Sequence, residues 1–197
     1  MMTSNFAFVG IHLSYGRKPF TFVLLGDDLN LIACVNSDMK DLGAILSEPD
    51  SVTVCITGNS KSKSAKSANI SSMFSEQLEK MSFRPYPAKN ATRVWFKTEA
   101  DDSFNALLQR KLLSRRTLEG RIQRALALYD QGLQIDDPME FFEEITRYKL
   151  MQGILPIENL YTSKELDALV AAYVAWLTVN KPGQFIVKGE FILPSEE

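Results

Sequence analysis

The single histidine of the chain, His12, ends an apolar stretch, FVGIHLSYG, that is typical of a buried strand followed by a turn. An imidazole at a strand end can act as a general base or as a metal ligand. The alternative is a half-buried histidine that is hydrogen-bonded to the backbone or to Asp167.

Asp167 is the second candidate for chemistry. It lies in the segment ELDAL, past the first turn of a predicted helix, so N-capping does not account for it. It borders a set of small residues that we expect to lie close against a sheet, namely Ala168, Ala171, Ala172 and Ala175. Asp167 is either a functional acid or an acid at a pocket rim that is solvated or paired with Lys97.

One basic cluster has the composition of a phosphate-binding surface. Its members are Arg110, Lys111, Arg115, Arg116, Arg121 and Arg124, with Lys61, Lys63 and Lys66 earlier in the chain. The alternative is a solvated helix face. The net charge of −2 favours that alternative, because 22 basic residues are outnumbered by 24 acidic ones.

The composition indicates one globular domain over residues 1–197. Cys34 and Cys55 lie inside apolar runs without a pairing pattern, so we expect free thiols in a reducing compartment. No run approaches the roughly 18 apolar residues of a spanning helix, and the start lacks the pattern of a signal peptide. We therefore expect a cytoplasmic protein that makes no contact with membranes.

Aromatic and β-branched segments predict five strands, AFVGIHLS, PFTFVLLG, LIACVNS, SVTVCIT and TRVWFKT, and the ending QFIVKGEFILP adds one or two short ones. The second and third form a hairpin, and SVTVCIT is expected at the centre of the sheet because it is almost continuously apolar. Residues 58–72 contain six serines and three lysines without periodicity, which predicts a flexible surface loop.

The second half of the chain is predicted to be helical. Asp137 and Pro138 predict a helix start, and that helix is expected to turn Phe141, Phe142, Ile145 and Tyr148 inward. Thr162 and Glu165 form a capping box before ELDALVAAYVAWLTVN. The order βββ-α-β-α-β followed by helices is expected of an α/β, ribonuclease H-like fold with a mixed five-stranded sheet, which the pattern alone leaves as one candidate among several.

The helical half resembles a known family over the run RTLEGRIQRALALYDQGLQIDDPMEFFEEITRYKLMQGILPIENLYTSKELDALVAAYVAWL. It is similar to the C-terminal half of the domain of unknown function 429 family, whose members are predicted ribonuclease H-like nucleases. FRPYP and the ending FILP also resemble family segments, so the likeness covers roughly residues 83 to 194. The resemblance implies a nuclease site built from carboxylates around Mg²⁺ or Mn²⁺, since these hard ions prefer oxygen ligands.

The chain departs from the family pattern at most of the implied acid positions. His12 follows Gly10 and Ile11 where the family has Asp, Thr57 follows Ile56 where it has a second Asp, and Lys97 falls where it has Glu. Asp167 alone matches. A neutral imidazole is a poor replacement for a carboxylate that bridges two hard ions, and a lysine opposes cation binding.

The interpretation is an inactive member of this family that needs no cofactor and acts as a structural or interaction module. One alternative is a residual metal-dependent nuclease built on Asp167 and His12, helped by Glu99 or Asp101 and Asp102. Another is non-catalytic nucleic-acid binding by Arg115, Arg116, Arg121 and Arg124. The outer strands also leave a homodimer open.

Overall fold

The structure is a computed structural model that describes residues 6–14, 18–47, 49–58, 65–154, 157 and 160–195. The strands in these ranges are β1 (Phe6–Leu13), β2 (Phe20–Leu25), β3 (Leu31–Ser37), β4 (Ser51–Gly58), β5 (Arg84–Pro85), β6 (Arg93–Lys97), β7 (Phe185–Lys188) and β8 (Phe191–Pro194). The helices are α1 (Met39–Ser47), α2 (Ala65–Lys80), α3 (Ala100–Leu108), α4 (Leu118–Asp130), α5 (Glu140–Met151) and α6 (Ser163–Asn180). Within the described ranges, no helix is long and apolar enough to cross a membrane.

The strands form one mixed sheet in the order β3-β2-β1-β4-β6-β8-β7, with β5 paired to β6. β1, β4, β6 and β8 are parallel, whereas β2 is antiparallel to β1 and β3, and β7 is antiparallel to β8. The predicted α/β class, the hairpin and the central position of β4 are confirmed. The strand order β3-β2-β1-β4-β6 is consistent with a ribonuclease H-like fold. The sheet has more than five strands because β7 and β8, the short strands predicted for QFIVKGEFILP, and the unpredicted β5 extend it on the far side of β6.

Two apolar cores lie on opposite faces of the sheet. On one face, Val54 and Ile56 of β4 pack with side chains of α1 and α2 such as Leu46 and Phe74. On the other face, Cys55 packs beneath α6 together with side chains of α3 and α4. Side chains alternate between the two faces of a strand, so every second residue faces the same core. His12 therefore lies on the α6 side of β1, with Phe8 and Gly10.

The predicted flexible loop over residues 58–72 is wrong from Ala65 onward, where α2 begins. Gly58 still belongs to β4, and residues 59–64 lie outside the described residues. Phe74 and Leu78 of α2 are both buried and anchor the helix, which extends from them back to Ala65. Serine costs a helix only a few tenths of a kcal/mol, so tertiary packing of those two side chains outweighs the polar composition.

The helix predicted from Asp137 begins later and faces differently. α5 starts at Glu140, and the Asp137 carboxylate accepts a hydrogen bond from the Met139 amide just before it. Phe141 is buried as expected, but Phe142 and Tyr148, which were also expected to face inward, are exposed. The predicted capping box of α6 is confirmed, with Thr162 and Glu165 each accepting a hydrogen bond from the other's backbone amide.

Candidate functional site

A row of polar side chains lines the edge of the sheet where the parallel strands end, on the face covered by α6. His12 of β1 lies between Thr21 of β2 and Thr57 of β4 in the strand register. Thr98 follows β6 on the same face, because it is two residues beyond Phe96. His12 and all three threonines are buried. This edge is where an open α/β sheet places its ligand site, but among the described residues the strands themselves place no carboxylate on it.

α6 reaches this edge because Gly10 of β1 lets the helix approach the strand closely. A Cβ atom built on Gly10 lies 1.9 Å from the carbonyl oxygen of Ala168 and 2.3 Å from the amide nitrogen of Ala172. Only a residue without a side chain tolerates that distance. The small residues predicted to lie against the sheet therefore do so, and they hold Asp167 next to the end of β1.

The structure brings together the two residues singled out from the sequence. The Nδ1 atom of His12 lies 3.2 Å from Oδ2 of Asp167, and the Asp167 side chain is only 2% exposed. The two atoms are close but are not aligned as a hydrogen bond. The contact thus joins a titratable base to a buried acid at the sheet edge, which is the pair that general acid–base chemistry requires.

A residue that sequence reasoning did not link to Asp167 occupies both of its oxygens. Arg115 contacts Oδ2 through Nη1 at 3.1 Å and donates from Nη2 to Oδ1 at 3.2 Å. The Ser163 hydroxyl donates to the Arg115 carbonyl at 2.6 Å and so ties this loop to the start of α6. Such a bidentate ion pair satisfies a buried carboxylate.

The Arg115 guanidinium also contacts a second acid, Asp101. Nη2 of Arg115 lies 3.4 Å from Oδ1 of Asp101, which also accepts a hydrogen bond from the buried Arg124 at 3.2 Å. Burial raises the pKa of the Asp101 carboxyl, but Arg115 and Arg124 outweigh that effect and bring its pKa below the ordinary value. His12, Asp167, Arg115, Asp101 and Arg124 therefore form one continuous polar network.

Lys97 does not belong to this network. Alternation along β6 places it on the face of Trp95, opposite Phe96, and its Nζ lies 2.7 Å from Oε2 of Glu190 in the β7–β8 turn. The suggested pairing of Lys97 with Asp167 is therefore wrong, since Arg115 and His12 take that place.

Thr57 and Thr98, the other strand-end side chains of this face, differ in their partners. The Thr98 hydroxyl donates to the Ile192 carbonyl at 2.7 Å and lies 2.8 Å from the Ser103 hydroxyl. The Thr57 hydroxyl is buried and has no hydrogen-bond partner among the described residues. Neither side chain replaces the carboxylate that a hard metal ion requires.

The donor set does not fit the two-metal site that the family resemblance implies. Within the residues that the structure describes, no three His, Cys, Asp or Glu side chains form a group suited to a metal ion. Asp167 and Asp101 are each bound to arginine, and Glu99 is the residue that directly precedes α3. Asp102 is exposed.

The four arginines suggested for nucleic-acid binding divide into three internal ones and one exposed one. Arg124 is buried and donates to the carbonyls of Leu113 and Gly120 at 2.9 Å. Arg121 donates to the carbonyls of Tyr161 and Leu160, and Arg115 binds Asp167. Arg116 is exposed. Three of the four guanidinium groups are therefore held by contacts within the chain, and Arg116 is the one most open to solvent.

Two members of the site had no signal in the sequence that pointed to them. Arg115 was grouped with its basic neighbours, because nothing local relates it to an aspartate 52 residues further along. Thr98 is the last residue of the predicted strand TRVWFKT, and a threonine at a strand end is too common to indicate a site. Neither the family models nor the curated proteins compared with the chain match it.

Proposed function

We propose that the chain is a catalytically inactive domain of ribonuclease H-like fold that serves as a structural or interaction module. The observation that carries the proposal is the bidentate contact of Arg115 with Asp167, the one acid at an implied site position. We also propose that the chain is a divergent member of the domain of unknown function 429 family, and the departures at His12 and Thr57 agree with loss of activity.

Electrostatics explains why this arrangement opposes a metal ion. Two like unit charges 4 Å apart repel by about 4 kcal/mol at the effective dielectric of a protein surface, and a divalent ion doubles that cost. Arg115 contacts both oxygens of the Asp167 carboxylate, so a cation bound to that carboxylate meets this repulsion. Among the described residues, no group of three side chains suited to a metal ion compensates for it.

Metal binding is the first experiment. We expect titration of the full chain with Mn²⁺ at neutral pH to give no heat of binding, and we expect incubation with Mg²⁺ or Mn²⁺ to leave structured DNA and RNA uncleaved. Asp167→Asn tests the site, and Asp102→Asn, which changes a neighbouring exposed acid, is the matched control.

Binding that Asp167→Asn abolishes and Asp102→Asn preserves would overturn the inactive-site proposal in favour of the residual nuclease. Affinity for DNA or RNA that falls steeply with salt would instead support a nucleic-acid surface around Arg116. We expect neither, because Arg115, Arg121 and Arg124 are bound within the chain.

A cytoplasmic location is also proposed. Cys34 and Cys55 are free thiols, which persist in reducing compartments. Recovery of the protein in a secreted or membrane fraction of the cell would contradict this location.

A further inference from the structure

The outward face of α5 is apolar and uncovered. Among the described side chains of this helix, Phe141 is buried, whereas Phe142 is 46% and Leu150 is 80% exposed. Phe142, Thr146 and Leu150 follow one another at four-residue spacing and line a single shallow groove together with Glu143 and Arg147. Large side chains at helical spacing on a surface are typical of a protein contact.

The charges along α5 are segregated by sign. Glu140 and Glu143 lie in its first turn, and Lys149 lies in its last turn, with Arg147 just before it. Within the part of the chain that the structure describes, neither Glu143 nor Arg147 forms an ion pair. The acidic half and the basic half are therefore both available to a partner.

The arrangement of apolar and charged side chains on α5 matches that of a second copy of the helix only when the two helices lie antiparallel. When two copies of α5 lie antiparallel about a two-fold axis near Thr146, residues whose numbers sum to about 292 face each other. Phe142 then meets Leu150 of the other copy, and Glu143 meets Arg147, which lies on the same flank of the groove. A parallel arrangement places acid against acid and base against base.

We propose that the outward face of α5 is the contact surface of a homodimer in which the two α5 helices pack antiparallel. The inference goes beyond the proposed function, because it holds whether or not the sheet-edge site binds a metal ion. A single helix face is smaller than the standard contribution of about 800 Å² per partner, so the dimer is expected to dissociate in the micromolar range.

Analytical ultracentrifugation of the full chain tests this surface. We expect dimers at about 100 µM protein and monomers on dilution, as mass action requires. Leu150→Glu buries a charge in the contact and is expected to give a monomer. Met73→Glu, which places the same charge on an exposed methionine of α2, is the control and is expected to leave the dimer intact.

Charge reversal tests the orientation. Glu143→Arg and Arg147→Glu each place like charges opposite one another, so each alone is expected to weaken the dimer at least tenfold. The double variant restores opposite charges across the two-fold axis and is expected to recover dimerisation. A parallel dimer does not show this rescue.

Three outcomes overturn the proposal. The first is a chain that stays monomeric at about 100 µM, well above the expected dissociation range. The second is a dimer that Leu150→Glu leaves intact but that Val187→Lys, on the edge strand β7, abolishes. The third is a dimer insensitive to both single charge reversals. Circular dichroism of each variant distinguishes loss of contact from loss of fold.

Discussion

At the scale of single residues, Asp167 shows how a carboxylate is kept inside a protein without a metal ion. Burying an unpaired carboxylate costs several kcal/mol, so a buried acid requires cationic partners or hydrogen bonds. Arg115 supplies a bidentate partner, and His12 lies against the same oxygen. The acid thereby joins the start of α6 to the loop before α4, which is a structural role that explains its presence without catalysis.

Replacing Arg115 by methionine tests that role. Arg115→Met keeps much of the side-chain length but leaves Asp167 without its guanidinium, so we expect the free energy of unfolding to fall by about 2 kcal/mol. The figure is below that of a fully buried pair because Arg115 is 32% exposed. Urea denaturation measures the change. Arg116→Met, at an exposed neighbour, is the control and is expected to change stability by less than about 0.5 kcal/mol. Equal midpoints for the two variants would contradict a structural role for the ion pair.

The sequence predicted part of this site and missed the rest for a physical reason. His12 and Asp167 were found because a strand end and a helical face of small residues leave recognisable local patterns. Arg115 lies in a loop without periodicity, and its partner is set by tertiary packing rather than by sequence distance. Lys97 was assigned to the wrong face because a one-residue change of register reverses every side chain of a strand.

At the scale of elements, strong local patterns gave correct predictions and weak ones did not. The apolar β4 and the Thr162 capping box were both predicted, since burial and capping are written in neighbouring residues. The start of α2 was missed because its serines carry little local preference, and its position depends on the packing of Phe74 and Leu78. The later start of α5 reflects Asp137 accepting a hydrogen bond in the turn before the helix.

The packing of α6 against β1 depends on Gly10. Gly10→Ala places a methyl group 1.9 Å from the Ala168 carbonyl oxygen, so α6 has to move away from β1. We expect the free energy of unfolding to fall by at least about 3 kcal/mol, because helix backbone does not yield as a flexible side chain does. Gly43→Ala in α1 is the control, since nothing lies within 4 Å of its added Cβ atom. The control is expected to stabilise the protein by about 0.5–1 kcal/mol through helix propensity. Similar denaturation midpoints for the two alanine variants would show that the close approach is not required.

At the scale of the whole molecule, folding places several weak acids in environments that disfavour their charged forms. Burial, and secondarily Glu165, raises the pKa of the Cys34 thiol from 9.0 to about 12. Burial raises the pKa of Tyr173 from 10.0 to about 12, and it does the same for Tyr161 with help from Asp136. Burial also raises the pKa of Cys55 well above its ordinary value. These groups stay neutral in the folded chain at a pH where the unfolded chain ionises them.

Alkaline pH is therefore expected to unfold the protein progressively. A raised pKa in the folded state contributes stability that is fully present below the unfolded value and is lost as pH rises through the folded value. From the shifts of Cys34, Tyr161 and Tyr173, the loss begins near pH 9 and continues to about pH 12. The midpoint of thermal unfolding, followed by circular dichroism across this range, measures this loss of stability.

Cys34→Ala removes one of the earliest groups to respond, so the midpoint of this variant is expected to fall less between about pH 9 and the onset of tyrosine ionisation near 10.0. A midpoint that stays constant over the whole range in the native chain would mean that the folded core exposes these groups to water, contrary to the packing of the face beneath α6.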